Sequence, residues 1–354
     1  MTRRLLSDVG KVRREMASMF IDAFARTYFK DYLKYALSTA HHEIYHLLQG
    51  ALRKRGQRIA LAGPRGLGKS TLATLIYLLY CVCYQLERFI VIISDTSDQA
   101  VRLLEIVRKE LETNELLLED FPELRGKRPS PWTQSEIETP NGVRLLALGR
   151  GQRIRGRKFR KERPSLVLVD DVETRQNCEN PDSREKLRNW YLQDILKAGS
   201  ETTNFLFLGT VVHPDCLLAE LLDPEKHPLW IKKRYQAVIK EPHRTDLWNE
   251  WSLVYNSRRD YAGKRGPDAA RQMYEDNREE MDRGTELLWP ERYNYYNLKI
   301  ELENDPISFY SELQNAPINP KTCLIDVDEC HFWDKTWRSL AELKNAHPDG
   351  LEYF

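Results

Sequence analysis

RIALAGPRGLGKSTLATLIYLLYCVCYQL, residues 58–86, is the stretch from which the architecture follows. RIALAG (58–63) is a short apolar run that ends in glycine, and STLATLIYLLYCVCYQL (70–86) is long and apolar enough to be a buried helix. Between them GPRGLGKS (63–70) fits G-x-x-x-x-G-K-[ST] at every fixed position, in the strand, loop and helix context that such a motif requires. Gly63, Pro64, Arg65, Gly66, Leu67 and Gly68 form a loop whose glycines let the backbone wrap phosphates, and Lys69 brings a compact positive charge to the terminal ones. The Ser70 hydroxyl suits Mg²⁺, and Thr71 follows at the helix start, where the helix dipole adds positive potential. The expectation is a nucleotide site that takes ATP with Mg²⁺. Arg65 places a second cation beside Lys69; it is a candidate contact to the terminal phosphate, with a solvated loop arginine as the plain alternative.

Outward from this unit, FIVIIS (89–94), LVLVDD (166–171) and NFLFLGT (204–210) are further continuous apolar runs, with a helical pattern from about 98 to 118. Strands that alternate with helices predict an α/β fold, a P-loop NTPase with a mostly parallel central sheet flanked by helices. EIETPNGVRLLALG (136–149) sets Pro140, Asn141 and Gly142 between two alternating runs, a hairpin signal. WIKKRYQAVI (230–239) reads as one last strand near an edge, because it carries three charges. Before the first strand, residues 11–52 show apolar spacing of helical period, read as about two helices. Beyond about 245 the pattern becomes helical and rich in Trp, Tyr, Arg and Glu. The expected divisions are an N-terminal helical segment (1–50), a P-loop ATPase core (51–245), a small helical lid subdomain (246–320) and a linker (321–354).

LVLVDDVE closes a buried strand with acids. Asp170 is placed to hold Mg²⁺, Asp171 is next in line to orient and deprotonate the attacking water, and Glu173 is the fallback for that role. One strand-sized run between the phosphate loop and this acidic strand, with another after it, fits the division of P-loop proteins that carries an added strand and a carboxylate base. Thr210, after Gly209 at the end of the later run, is a candidate for sensing the terminal phosphate, the alternative being a mere turn.

The composition excludes other classes. Charged residues at 30% and hydrophobic residues at 41% describe a globular chain, and no apolar run approaches the ~20 residues that a membrane helix needs. The start lacks the apolar core of a signal peptide, so a cytosolic location is expected. Six cysteines without paired spacing read as reduced thiols, and zinc is not expected. A net charge of +1 gives no overall basic field, so contact with nucleic acid must come from a local patch, of which GRGQRIRGRKFRKER (149–163) is the strongest.

GPRGLGKST, GRGQRIRGRK, RPSLVLVDDVE, FLGTVVHPDCLLAEL, LWPERYN and SFYSELQNAP, in this order, resemble the large subunit of tailed-phage terminases over roughly residues 40–320. The resemblance implies a motor that docks as a ring of copies on the portal protein of a procapsid and drives double-stranded DNA inward by ATP hydrolysis. It further implies the terminase small subunit as a partner and the cytoplasm of the infected bacterial host as the location. It makes an arginine of QRIRG a trans-acting finger for the neighbouring subunit: Arg155, with Arg153 and Arg157 as alternatives. Two readings compete with that one. Seven Lys or Arg residues among 153–163 suit DNA phosphates, and a solvated charged loop is the plainest account. The family commonly has glutamate where Asp171 stands. Its RNase H-like nuclease would begin near where this chain stops, so no nuclease activity is expected, and Asp326, Asp328 and Glu329 are read as linker. The alternatives carried are a superfamily 2 helicase-like remodelling ATPase, against which the missing second lobe speaks, and a nucleotide-binding assembly factor that does not hydrolyse ATP.

Overall fold

Continuous apolar runs form strands buried on both faces, and here they form one sheet. The computed structural model describes residues 7–126 and 129–317. Its strands are β1 (Arg58–Ala62), β2 (Phe89–Ser94), β3 (Glu136–Glu138), β4 (Arg144–Gly149), β5 (Leu166–Asp170), β6 (Asn204–Gly209) and β7 (Ile231–Arg234), in the order β3-β4-β2-β5-β6-β1-β7. Every neighbouring pair is parallel except β3 with β4. That hairpin turns through Thr139 and Gly142, whose φ of 86° explains the glycine. Because successive side chains point to opposite faces, Ile59, Leu61, Ile92 and Leu168 enter one core, while Ala60, Val91, Ile93 and Val169 enter the other. β6 lies between β1 and β5, with Leu208 beside both Leu61 and Asp170, so the phosphate loop and the acidic strand end are held one strand apart. The fold is an α/β P-loop fold with an added strand.

The N-terminal region has three helices, Asp8–Met19, Ile21–Tyr28 and Thr39–Arg53, where about two were expected. The first break falls at Phe20, whose extended backbone separates two helices that periodicity alone does not divide. Phe24, Tyr28, Tyr80, Tyr84 and Phe121 pack as one aromatic group beneath them. Arg13 forks onto the fully buried Asp120 at 2.5 and 2.6 Å, which pins the first helix to the body.

The helix after the phosphate loop opens with a wide, π-type stretch, Thr71–Tyr77, and continues as Leu78–Cys83. It stops short of residue 86 because Gln85 turns left-handed, with φ of 55°. The single strand expected over 230–239 divides in two. β7 pairs with β1 at the sheet edge, whereas β8 (Val238–Lys240) pairs antiparallel with β9 (Glu286–Leu287) in a separate two-stranded sheet. The chain leaves the main sheet where the Ala237 N–H bonds the carbonyl of Leu313 instead of a strand neighbour.

Helices Thr245–Tyr255 and Pro267–Asp282 bury Trp248, Trp251, Met273 and Met281 in a cluster of their own. The linker expected at 321–354, with Asp326, Asp328 and Glu329, lies outside the described residues, as do Cys323 and Cys330. Cys81, Cys83, Cys178 and Cys216 are free and buried. No helix among the described residues is long and apolar enough to cross a membrane.

Candidate active site

In a parallel sheet the loops that follow the strands share one edge, where ligands collect. Here the phosphate loop follows β1, the acids follow β5, Thr210 follows β6 and the basic stretch follows β4. The loop turns through Gly66 and Gly68 at φ of 84° and 83°, which only glycine adopts without strain. The space at Gly63 is closed, since a Cβ there would lie 2.8 Å from Leu67 and 3.1 Å from the Lys69 stem.

Lys69 is buried, and its ammonium donates to the carbonyl of Gly63 at 2.8 Å, to that of Pro64 at 3.3 Å and to Thr210 Oγ1 at 3.1 Å. Burial pulls its pKa down, opposed by the charges of Asp171 and Asp170. The fully buried Asp170 accepts from Ser70 Oγ at 3.1 Å on one oxygen and from Thr74 Oγ1 at 2.5 Å on the other. Its pKa is pushed up to about 6, first by burial and then by the neighbouring Asp171. A buried carboxylate beside a hydroxyl is a hard-oxygen donor set that suits Mg²⁺, an ion that keeps several waters and takes few protein ligands. Among the described residues no cluster of three or more His, Cys, Asp or Glu offers a metal cage.

Asp171 has left-handed backbone, φ of 47°, and its N–H bonds the Leu208 carbonyl at 3.1 Å, so the chain kinks where the strand ends. That kink sets Asp171 on the wall of a cleft of about 450 Å³, shared with Arg65, Lys69, Ser70, Thr71, Glu173, Arg175 and Thr210. Glu173 is committed elsewhere. Its oxygens accept from the backbone N–H groups of Leu217 at 2.7 Å and Leu218 at 2.8 Å, at the start of helix Leu217–Leu222. Burial raises its pKa against the lowering effect of these donors.

Arg65 pairs with Glu312 at 2.8 Å, its N–H bonds the Glu312 carbonyl, and its own carbonyl accepts from the Tyr293 hydroxyl. The loop is therefore tied to the segment around 309–315. The same segment reaches Thr210 through the buried Asn315, which accepts from the Val211 N–H at 2.9 Å and donates to the Tyr235 carbonyl at 2.8 Å.

Five side chains that motif reading did not single out join the site. Arg175 lines the cleft and, among the described residues, makes a weak helical pairing to Glu179 at 3.8 Å. The Ser38 N–H donates to His41 Nδ1 at 3.0 Å, so the His41 Nε2–H donates to the Leu67 carbonyl at 3.0 Å; a buried neutral imidazole props the loop from behind. Tyr35 and Trp289, with Arg292, border a smaller cavity of about 170 Å³ on the Leu67, Thr71 and Leu72 side of the loop. Trp289 and Arg292 fall in the stretch LWPERYN, but their place beside the loop, like that of the other three, comes from contact between distant parts of the chain.

The basic stretch is not part of the cleft. Arg155 pairs with Asp194 at 2.8 Å and donates to the Gln193 carbonyl. No residue of 150–163 lines the cleft.

No protein-family model matches the chain. No curated protein matches it either. Solved structures similar to it include the HK97 bacteriophage large terminase, 20% identical over 78% of this chain and 55% of that one, with a TM-score of 0.44. The ATPase domain of the Thermus phage P74-26 large terminase is 14% identical over 82% and 97%, with a TM-score of 0.40. A large terminase from another thermophilic bacteriophage is 11% identical over 57% and 46%, with a TM-score of 0.37. The chain thus spans about half the length of the HK97 protein, at 55%.

Proposed function

We propose that this chain is an ATP-hydrolysing motor of the terminase large-subunit type, moving double-stranded DNA into a viral procapsid. The observation that carries the nucleotide half is the convergence of Lys69, Ser70, Asp170, Asp171 and Thr210 at one sheet edge. The motor half rests on the ordered motifs of the sequence. Lys69 would leave its carbonyl partners for the terminal phosphates, and Tyr35, Trp289 and Arg292 would enclose the base beyond the loop. Ser70 and Asp170 would hold Mg²⁺, which supplies charge neutralisation between the phosphates. Asp171 would orient and deprotonate the attacking water, while Glu173, saturated by backbone donors, would position the acidic strand end rather than act as base. Thr210 would report loss of the phosphate through Val211 and Asn315 to the helical lid. Arg155 would act on the neighbouring subunit's nucleotide in a ring assembled on the portal, with the small subunit as a further partner. Arg65 and Arg175 are the cations that would serve their own subunit.

The test is ATPase activity of the chain against its concentration, with and without duplex DNA and portal. Specific activity should rise as subunits assemble, and Lys69→Ala should lose nucleotide binding and fall at least ~10³-fold in turnover. Normal turnover in that variant would remove the phosphate loop from the mechanism.

A further inference from the structure

Charge in this chain is segregated. Residues 150–163 carry Arg150, Arg153, Arg155, Arg157, Lys158, Arg160, Lys161 and Arg163 against one acid, Glu162, whereas residues 245–305 hold fourteen acids against nine bases. The basic stretch is also no loose loop. Ile154 and Phe159 are buried as apolar pins, Arg155 is tied to Asp194, and Arg163 donates to the Gly199 carbonyl at 2.8 Å. Two tight turns lie between these pins. The Arg157 N–H bonds the Ile154 carbonyl across Gly156, at φ of 79°, and the N–H and carbonyl groups of Phe159 and Glu162 bond each other across Arg160 and Lys161. Arg150, Arg155 and Arg160 pair with acids. Arg153, Arg157, Lys158 and Lys161 are exposed, and among the described residues none has an ion-pair partner.

We propose that this strap is where duplex DNA meets the subunit, its four unpaired cations lying along the phosphate backbone. The inference rests on the motor reading above and assigns it a surface. A strap already held by buried pins loses little conformational entropy when it binds, and cations with no acid to release are the ones that gain from a polyanion. None of them lines the cleft at their own phosphate loop, which leaves them free of the nucleotide of the same subunit. Each contact to duplex phosphate should add ~0.9 to the slope of log affinity against log salt, so four give roughly 3.6. That corresponds to a loss of about 10²-fold between 50 and 200 mM salt.

The experiment measures anisotropy of a labelled random-sequence duplex with the full chain at several salt concentrations. Lys158→Gln with Lys161→Gln should lower the slope by roughly 2, as should Arg153→Gln with Arg157→Gln, and the four together should bring it near zero. Arg258→Gln with Lys264→Gln, in the acidic region, should leave it unchanged. The thermal transition and nucleotide affinity of the same preparations check the fold, which exposed and unpaired side chains do not support. Strap variants that keep the wild-type slope overturn the proposal, as does a slope carried by Arg258 and Lys264, or preference for single-stranded RNA over duplex DNA. A wild-type chain with neither salt-dependent duplex binding nor ATPase activity would instead overturn the motor reading itself.

Discussion

Two cation-bearing loops leave the same edge of one sheet, and they are built in opposite ways. In the phosphate loop Lys69 is buried and turned inward onto carbonyls and Thr210, so its charge is held by the fold until something better arrives. In the strap after β4 the apolar side chains turn in and most cations turn out. A buried charge in the first loop is costly unless its partners are convergent, so that geometry points to one small polyanion. Exposed charges in the second cost little and specify little, which suits a long, repetitive polyanion or a neighbouring subunit. Similar composition, glycine with Lys and Arg, thus carries different chemistry according to whether the backbone or the side chains face the solvent.

The largest effect that would sharpen this contrast concerns Arg155. If it works as a finger on the next subunit, Arg155→Ala should lower assembled turnover by ~10³-fold or more with nucleotide affinity retained. Mixing Arg155→Ala with Lys69→Ala subunits should then restore part of the activity, because some interfaces pair an intact loop with an intact arginine. Arg175, on its own subunit's cleft, offers the opposite behaviour: Arg175→Ala should lose about 10–100-fold at every concentration, the worth of one charge-assisted hydrogen bond, and mixing should rescue nothing. If the two variants exchange these patterns, Arg155 serves its own subunit's nucleotide and Arg175 is the one that acts on the neighbour's.

A second comparison lies within the acidic strand end. Asp171 and Glu173 both border the cleft, yet Asp171 stands on kinked backbone at its wall while both oxygens of Glu173 are taken by the N–H groups of a helix start. Asp171→Asn should cut turnover by ~10²–10³-fold without loss of nucleotide affinity, because a base acts mainly in the transition state. Glu173→Gln should instead cost about 1–3 kcal/mol of stability, measured by denaturant melts, since one of the two N–H groups at Leu217 and Leu218 loses its carboxylate acceptor. A stable, inactive Glu173→Gln beside an active Asp171→Asn would exchange the roles.

These two residues also mark what the sequence could carry. The strand, glycine loop and helix were legible because their signals are local: an apolar run, fixed spacings and a buried helix. The acids were legible as a cluster, but not their division of labour, because Glu173 is claimed by backbone groups more than forty residues away. Likewise His41 meets Leu67, Arg65 meets Glu312 and Asn315 meets Val211 only in the folded chain. The division of 230–239 was hidden for the same reason, since Leu313 supplies the partner that draws Ala237 out of the sheet.

Asp170 allows the inner loop to be probed by pH. Its pKa of about 6 means that a proton competes with Mg²⁺ in the acid range, so Mg²⁺ affinity measured with nucleotide present should weaken about tenfold per unit once pH falls below about 6. The sign for stability is the reverse. A carboxyl raised above its unfolded value contributes most below about 3.9 and loses that contribution as pH rises through its folded value. The metal-free protein should therefore gain stability from this group on going from pH 7 toward 5. Mg²⁺ affinity flat across that range would mean that Asp170 does not hold the ion.

His41 gives the smallest effect, and it opposes that of Asp170 in the same window. Burial lowers its pKa, so the folded loop holds it neutral, with Nδ1 accepting from Ser38 and Nε2–H donating to Leu67. When the folded pKa of a histidine lies below its unfolded value near 6.5, the unfolded chain takes up the proton first, and stability falls as pH drops through 6.5. The slope from one such group is at most about 1.4 kcal/mol per pH unit. Because Asp170 pulls the other way, the total pH dependence says little. The informative quantity is the difference between wild type and His41→Gln, measured from pH 7.5 to 5.5 in denaturant melts. Glutamine can still accept from Ser38 and donate to Leu67 but cannot titrate, so the variant should lack the wild-type decline below 6.5 while the Asp170 contribution stays in both. Adding Asp170→Asn to each protein should remove the opposing gain and leave the His41 difference unchanged, provided the two groups act on the loop independently. Identical pH profiles for wild type and His41→Gln would mean that His41 carries no titration in this window and that its prop on Leu67 is not pH-sensitive.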